Sequence, residues 1–231
     1  MINNWHAIWE RRSIKDADPK SLADLIAANG FDSGAGKIAP EDWLAYAEKI
    51  IHILDVKNGD SVFEVGCGSG AFLFALSKFR NLHLGGIDYS TSLVGLARHV
   101  LPAAEISKAE ANSISANRQY DFVVANGVFH YFPEDYASAV LKIMLKKAYK
   151  AVALLDVPNL HFRQESERAR ADKLSEGEYH LKYQGLPHTY FDPTWLEQIA
   201  IDAGYRRVET SEQIVPNYAQ SKYRFNSYMF A

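Results

Sequence analysis

The segment SVFEVGCGSGAF, residues 61–72, decides the fold class of this chain. It begins as a short apolar run typical of a buried strand, passes through Gly66, Gly68 and Gly70, and ends in residues that favour a helix. Glycine permits the positive backbone angles of a tight strand-to-helix turn and lets a ligand approach the main chain closely. The segment therefore predicts the first strand, the ligand-binding loop and the first helix of an α/β domain.

Short apolar runs alternate with helical segments after this loop, a pattern typical of βαβ units and a parallel sheet. The pattern predicts five parallel strands, near 61–65, 82–87, 104–107, 120–125 and 149–156. It also predicts helices near 70–79, 91–100, 135–147 and 193–203, and two β-like runs near 205–215 and 223–230. The whole of this part of the chain therefore reads as one α/β unit.

The amino-terminal part of the chain places apolar side chains at helical spacing, with glycine and proline between the helical pieces. We therefore predict a helical cap over residues 1–54 and an α/β domain over residues 55–231. The cap carries Trp5, Trp9 and Phe31. These aromatic residues either form a lid over a cleft or belong to the ordinary apolar stripe of packing helices.

Residues 157–190 interrupt the alternation and are too many for a plain connection, so we expect an insertion on the substrate side of the domain. Charges of both signs alternate from Arg163 to Lys173. This favours a solvated helix with local ion pairs, with an anion clamp as the alternative. His161, His180 and His188 lie in the insertion, where loop histidines are common, and each is expected to be inert.

Composition excludes several classes of partner. The chain has 25 Lys and Arg against 28 Asp and Glu, a formal net charge of −3, so we expect no nucleic-acid partner. Its one cysteine, Cys67, can form neither an internal disulfide nor a thiolate metal site, which fits a reducing cytoplasm. No stretch is apolar enough for a signal peptide or a membrane span, and no metal site is predicted.

Charge around the glycine loop indicates what kind of ligand it binds. The loop followed by Ala71 also satisfies the dinucleotide pattern, and Asp88 at the end of the second strand suits ribose hydroxyls in either kind of ligand. A pyrophosphate against the helix would be repelled by Glu64, two residues before Gly66. S-adenosylmethionine has a sulfonium and an ammonium instead, so the acid favours that ligand.

From about residue 40 to 231 the chain resembles a class I S-adenosylmethionine-dependent methyltransferase, close to the ubiquinone/menaquinone-type small-molecule branch. Residues 64–70 match the family's E/D-x-G-x-G-x-G loop, Asp88 its ribose-binding acid, and residues 120–133 its fourth-strand motif. The resemblance implies a Rossmann-like α/β fold with a seven-stranded, mostly parallel sheet of order 3-2-1-4-5-7-6, in which the last strand is antiparallel.

The same resemblance implies a set of residues for S-adenosylmethionine. The glycine loop and the residues after the fourth strand would hold the methionine end, and the residues after the second and third strands would hold ribose and adenine. The implied cofactor-binding residues are Glu64, Gly66, Cys67, Gly68, Gly70, Asp88, Tyr89, Glu110, Ala111, Asn126, Gly127 and Val128.

The expected function is methyl transfer to an oxygen or nitrogen of a small molecule. If the acceptor must lose a proton, the candidate general bases are His130 and Asp156, followed by His188 and Tyr190. His130 alternatively packs against the cofactor pocket, and Asp156 alternatively caps a turn. An acceptor that is already an ionised carboxylate needs no base.

Two other functional classes remain open. An NAD(P)-dependent oxidoreductase is disfavoured by Glu64 and by the lack of a Tyr-x-x-x-Lys pair on a helix after the fourth strand. A non-catalytic S-adenosylmethionine-binding subunit of the same fold stays compatible with the sequence. The oligomeric state and the identity of the acceptor are left open.

Overall fold

The computed structural model describes residues 5–11, 21–32, 34–117, 119–171, 175, 177–178 and 185–231. The predictions made for Lys173 and His180 lie outside the described residues.

One seven-stranded sheet organises the chain, with strand order β3-β2-β1-β4-β5-β7-β6. All neighbouring strands are parallel except that β7 runs antiparallel to both β5 and β6. The fold prediction is therefore confirmed. The strands are β1 (Ser61–Val65), β2 (His83–Asp88), β3 (Glu105–Lys108), β4 (Tyr120–Asn126), β5 (Ala148–Pro158), β6 (Arg207–Glu212) and β7 (Arg224–Phe230).

Helices cover both faces of the sheet, and local sequence signals explain where several begin. Ser21, Ser90 and Asp192 each accept a hydrogen bond from a backbone N–H of the first helical turn, and Pro40 and Pro193 open their helices. The helices are α1 (Trp5–Arg11), α2 (Leu22–Ala28), α3 (Pro40–Leu54), α4 (Ala71–Ser77), α5 (Thr91–Val100), α6 (Glu134–Lys147), α7 (Arg163–Ala171) and α8 (Pro193–Asp202).

Two hydrophobic cores lie on opposite faces of the sheet, because successive side chains of a strand point to opposite sides. In β4, Phe122 and Val124 face the core shared with α3 and α4, whereas Val123 and Ala125 face the core shared with α6 and α8. Both faces are buried, which is why the strands read as continuous apolar runs.

The predicted cap is only partly outside these cores. Leu25 and Ile26 of α2 and Trp43 of α3 are at most 2% exposed and belong to the first core. Helix α1, in contrast, has no buried residue. Of the helices before β1, α1 alone therefore lies on the outside of the domain.

The structure was also searched for membrane-spanning helices and for metal sites. No helix in the part of the chain that the structure describes is long and apolar enough to cross a membrane. Within the same residues there is no group of three or more His, Cys, Asp or Glu side chains that could hold a metal ion.

A matched pair of glycine substitutions tests the packing of the sheet. A Cβ added at Gly85 in β2 would lie 2.4 Å from the Tyr120 hydroxyl and 2.8 Å from its ring, so Gly85→Ala should destabilise the fold by about 1–3 kcal/mol. Gly95 lies in α5 with nothing within 4 Å, so Gly95→Ala should stabilise it by about 0.5–1 kcal/mol. Urea denaturation measures both, and equal effects would contradict this packing.

Candidate functional site

The glycine loop between β1 and α4 is shaped by three positive φ angles, 71° at Gly66, 53° at Gly68 and 81° at Gly70. Neighbouring segments crowd it closely. A Cβ at Gly66 would lie 2.7 Å from the Val128 side chain, and one at Gly68 would lie 2.3 Å from Oδ1 of Asn29. Glycine is therefore required here both by backbone conformation and by close approach.

Asp88 fixes this loop to the end of β2. Its Oδ2 accepts a hydrogen bond from the Gly68 N–H at 2.9 Å, and its Oδ1 accepts one from the Ser90 N–H at 2.8 Å. Burial raises the pKa of the Asp88 carboxyl, and the two backbone hydrogen bonds oppose that rise. The carboxylate lies at the carboxyl edge of the sheet, where open α/β sheets bind ligands.

Two cavities lie side by side along this edge. The first, of about 190 Å³, is bordered by Tyr89, Glu110 and Ala111, and the second, of about 60 Å³, by Gly68, Asn126 and Gly127. Gly66, Asp88, Tyr89 and Val128 line both. Nine of the twelve residues predicted to bind the cofactor thus come together in one cleft, while Glu64, Cys67 and Gly70 do not line either cavity.

A larger cavity of about 490 Å³ lies elsewhere, between residues 77–84 and 100–104. These residues precede or begin β2 and β3, so the cavity is at the amino edge of the sheet. Parallel α/β sheets bind their ligands at the opposite edge. Its size therefore does not make it the candidate site.

Helix α1 covers the cleft. The His6 ring stacks on Tyr89 with centroids 4.2 Å apart, and its Nε2 lies 3.2 Å from Oε1 of Glu110. The Trp5 indole N–H donates to the Pro187 carbonyl at 3.0 Å, so the helix also reaches the segment before α8. The lid that the sequence suggests thus touches two of the predicted cofactor-binding residues.

His130 and His188 meet at one end of this cleft. His130 lies in the turn after β4 and is 5% exposed, and its ring centroid is 4.5 Å from that of His188. The Thr189 N–H donates to the His130 carbonyl at 2.9 Å, which ties the two segments together. Burial lowers the pKa of both histidines, and the guanidinium groups of Arg170 and Arg224 lower it further. Both rings are therefore held neutral.

The tautomer of His188 follows from its neighbour. Nη1 of Arg170 lies 3.2 Å from Nδ1 of His188. Arginine can only donate, so Nδ1 is the acceptor and the neutral ring carries its proton on Nε2. The neutral His188 ring therefore has its hydrogen-bond donor at Nε2.

Asp156 is held on both carboxylate oxygens. Oδ2 accepts from Nη1 of Arg224 and Oδ1 from Nε2 of Gln213, each at 2.8 Å. Burial raises the pKa of the Asp156 carboxyl, and the Arg224 guanidinium opposes that rise. The candidate base Tyr190 is also engaged, because its hydroxyl donates to Oγ of Ser166 at 3.3 Å.

The sequence analysis did not identify several residues of the site. Tyr131 lines both cavities, Asn29 accepts a hydrogen bond from the Ser69 N–H at 2.8 Å, and His6 covers Tyr89. Tyr131 directly follows His130 and its position was a usable signal. Asn29 and His6 reach the cleft through contacts distant in sequence, for which no local pattern exists.

This architecture is similar to that of known methyltransferases. Residues 63–153 match the sequence family described as a methyltransferase domain. Malonyl-[acyl-carrier protein] O-methyltransferase of Priestia megaterium is 28% identical over 93 residues, 39% of this chain and 32% of that protein. The chain thus spans about a third of the length of that curated relative.

Solved structures extend the likeness over nearly the whole chain. The plantazolicin methyltransferase BpumL aligns with a TM-score of 0.65 at 15% identity, over 96% of this chain and 93% of that one. Magnesium protoporphyrin IX methyltransferase of Synechocystis aligns at 0.60 and 15% identity, over 99% and 92%. The chain has the class I methyltransferase fold. The resemblance seen in the sequence is confirmed at the level of the fold.

In this methyltransferase fold, Glu64 lies behind the glycine loop and is 2% exposed. Its Oε2 has no hydrogen-bond partner among the residues that the structure describes. Burial, and then the Asp88 carboxylate, raise the pKa of the Glu64 carboxyl well above its ordinary value. A cationic ligand in the cleft would favour the ionised form of Glu64. The Glu64 carboxyl therefore ionises most readily when a sulfonium ligand is bound.

Glu64→Gln tests this account through stability without ligand. The unfolded state ionises Glu64 above its ordinary pKa of 4.5 while the folded state keeps the proton, so this residue lowers stability as pH rises through that range. The melting temperature of Glu64→Gln relative to that of the parent protein should therefore rise as the pH increases above about 5. The exposed Glu48→Gln is the control, and a constant difference for Glu64→Gln would contradict the prediction.

Deleting residues 1–11 tests the covering helix of the methyltransferase fold. The fold should remain because α1 buries no residue, and the deletion stops before the core residues of α2. Affinity for S-adenosylhomocysteine should fall by about tenfold, roughly 1.4 kcal/mol, because the first cavity loses the cover that Trp5 and His6 give it. His6→Ala should give a smaller loss in the same calorimetric titration. Unchanged affinity and turnover in the truncated protein would contradict a lid role.

Proposed function

We propose that this chain is an S-adenosylmethionine-dependent methyltransferase that methylates a small molecule at oxygen or nitrogen. The observation that carries the proposal is the cleft at the carboxyl edge of the sheet. There the glycine loop, Asp88 and the residues after β3 and β4 border two adjoining cavities.

The residues present fit the cofactor. The glycines keep the loop free of side chains where it borders the cavities, and the buried Glu64 carboxyl keeps an oxygen without a partner among the described residues, close to where the cationic methionine end would bind. Asp88 would hold the ribose hydroxyls, Glu110 and Ala111 the adenine, and Gly127 with its neighbours the methionine. When bound, the cofactor supplies a methyl group already activated on sulfonium.

The chain's own contribution is alignment and a dry site. Displacement at a methyl group with a neutral leaving group requires an in-line approach, which a rigid cleft supplies. Trp5 lies against Tyr131 and His188, with ring centroids 4.9 and 5.2 Å away, so α1 shields the end of the cleft that the acceptor would enter. Shielding from water strengthens every electrostatic contact inside.

A small-molecule acceptor is supported by the solved structures of the same fold, which include enzymes named for magnesium protoporphyrin IX and for plantazolicin. The formal net charge of −3 argues against a nucleic-acid partner. A cytoplasmic location is part of the proposal and rests on the single, buried Cys67, which suits a reducing compartment.

Calorimetric titration of the full chain with S-adenosylmethionine and S-adenosylhomocysteine tests the proposal, with NAD and NADP as controls. Binding of the first two alone is expected. Asp88→Ala should weaken that binding at least tenfold, roughly 1.4 kcal/mol, because both ribose hydroxyls lose an acceptor.

Two control variants separate binding from folding. Asp88→Asn keeps one acceptor oxygen for the loop and should weaken binding less, while Asp202→Ala on the exposed end of α8 should leave it unchanged. Tight binding of NAD, or undiminished binding of S-adenosylmethionine by folded Asp88→Ala protein, would contradict the proposal.

A further inference from the structure

Asn29, the residue that follows α2, connects that helix to the glycine loop. Its Oδ1 accepts a hydrogen bond from the Ser69 N–H at 2.8 Å, and the Ser69 hydroxyl donates to the Leu25 carbonyl of α2, also at 2.8 Å. Two hydrogen bonds therefore join the end of α2 to the loop. The position of the Asn29 side chain relative to the loop is fixed by this double contact.

The hydrogen bond from Ser69 also determines which way the Asn29 amide faces. A backbone N–H can only donate, so the atom that meets it is the amide oxygen and not the nitrogen. The Nδ2 group carries two N–H donors and makes no hydrogen bond within the part of the chain that the structure describes. Asn29 therefore offers donors to a ligand, while its oxygen is already used.

These donors lie at the end of the cleft proposed for the methionine part of the cofactor. Asn29 lines the second cavity together with Gly68, Asn126 and Gly127, whereas the residues after β3 line only the first cavity. A Cβ at Gly68 would lie 3.0 Å from Nδ2 of Asn29, so the amide nitrogen lies directly against the loop. The donors and the loop thus border the same space.

One group at the methionine end of S-adenosylmethionine suits these donors. The sulfonium and the ammonium are cations and do not accept hydrogen bonds, whereas the α-carboxylate accepts on both oxygens. Among the described residues that line the second cavity there is no Lys or Arg to pair with this carboxylate. A neutral donor must therefore hold it, and Asn29 is the one whose orientation is fixed by the glycine loop itself.

We infer that Asn29 binds the α-carboxylate of S-adenosylmethionine through its Nδ2 amide and thereby selects a cofactor that keeps this carboxylate. The inference rests on the proposed function and deepens it by naming a further binding residue and the cofactor group that it recognises. The methionine end would then lie between unlike partners, a neutral donor for its negative charge and the buried Glu64 carboxyl for its positive charges.

Asn29→Asp separates the two roles of this residue. The new side chain keeps an oxygen for the Ser69 N–H but replaces the two Nδ2 donors by a second, negatively charged oxygen. The contact with the loop is retained, and a like charge then faces the α-carboxylate. Asn58→Asp is the matched control, because Oδ1 of Asn58 also accepts a backbone N–H, that of Asn81 at 2.9 Å, but lies before β1 at the opposite edge of the sheet.

The binding test uses the full chain and two thioethers, S-adenosylhomocysteine and its decarboxylated analogue, which keeps the adenosine, the sulfur and the ammonium. In calorimetric titrations the parent protein and Asn58→Asp should bind S-adenosylhomocysteine more tightly than the analogue, by about tenfold or more. In Asn29→Asp the affinity for S-adenosylhomocysteine should fall by about tenfold or more, and that for the analogue should stay the same or rise, because the ammonium gains a neighbouring carboxylate. Equal losses for both ligands, or unchanged affinity for S-adenosylhomocysteine, would overturn the inference.

A measurement on the parent protein keeps the inference testable if Asn29→Asp does not fold. In nitrogen-15 NMR spectra the Nδ2 protons of Asn29 should shift on addition of S-adenosylhomocysteine and shift clearly less with the decarboxylated analogue. The same shift with both thioethers would overturn the inference. If the parent protein binds neither thioether, the proposed function fails; if it binds both with equal affinity, only the role of Asn29 fails.

Discussion

The site depends on the two hydrogen bonds that the Asp88 carboxylate accepts from the backbone. One N–H belongs to Gly68 in the loop after β1, and the other to Ser90, which caps α5. The Ser90 hydroxyl in turn donates to the Trp9 carbonyl at 3.0 Å, so the covering helix is attached to the same point. The loop, the start of α5 and α1 are thus held by one buried acid, the residue proposed to bind ribose.

This arrangement places two buried carboxyl groups, those of Glu64 and Asp88, at the same end of the cleft. Burial, and then the Asp88 carboxylate, make ionisation of Glu64 harder. Such an arrangement costs stability in the absence of a ligand and is relieved by a cationic one, so a feature that weakens the fold can strengthen binding.

The sequence predicted the parts of the molecule that local physics determines. The apolar run and glycines at 61–70 can form little else than a buried strand and a tight turn, and every predicted strand is confirmed within a few residues. The strand order came from the family resemblance. The pairing of Asp156 with Arg224, 68 residues later, could not be predicted, because it depends on how β7 enters the sheet. From the sequence alone, Asp156 was an acid at the end of a strand that could be either a general base or the cap of a turn.

The position of β7 also constrains how the chain acquires its structure during synthesis. Strand β6 is made earlier than β7, yet it has no place in the sheet until β7 has paired with β5, because β7 lies between them. Until residues 224–230 leave the ribosome, β5 presents an unpaired edge, which is the kind of surface that invites association with other chains. Asp156 is without its guanidinium partner for the same interval. The nascent protein therefore passes through a stage in which the β5 edge of the sheet is open and Asp156 is unpaired.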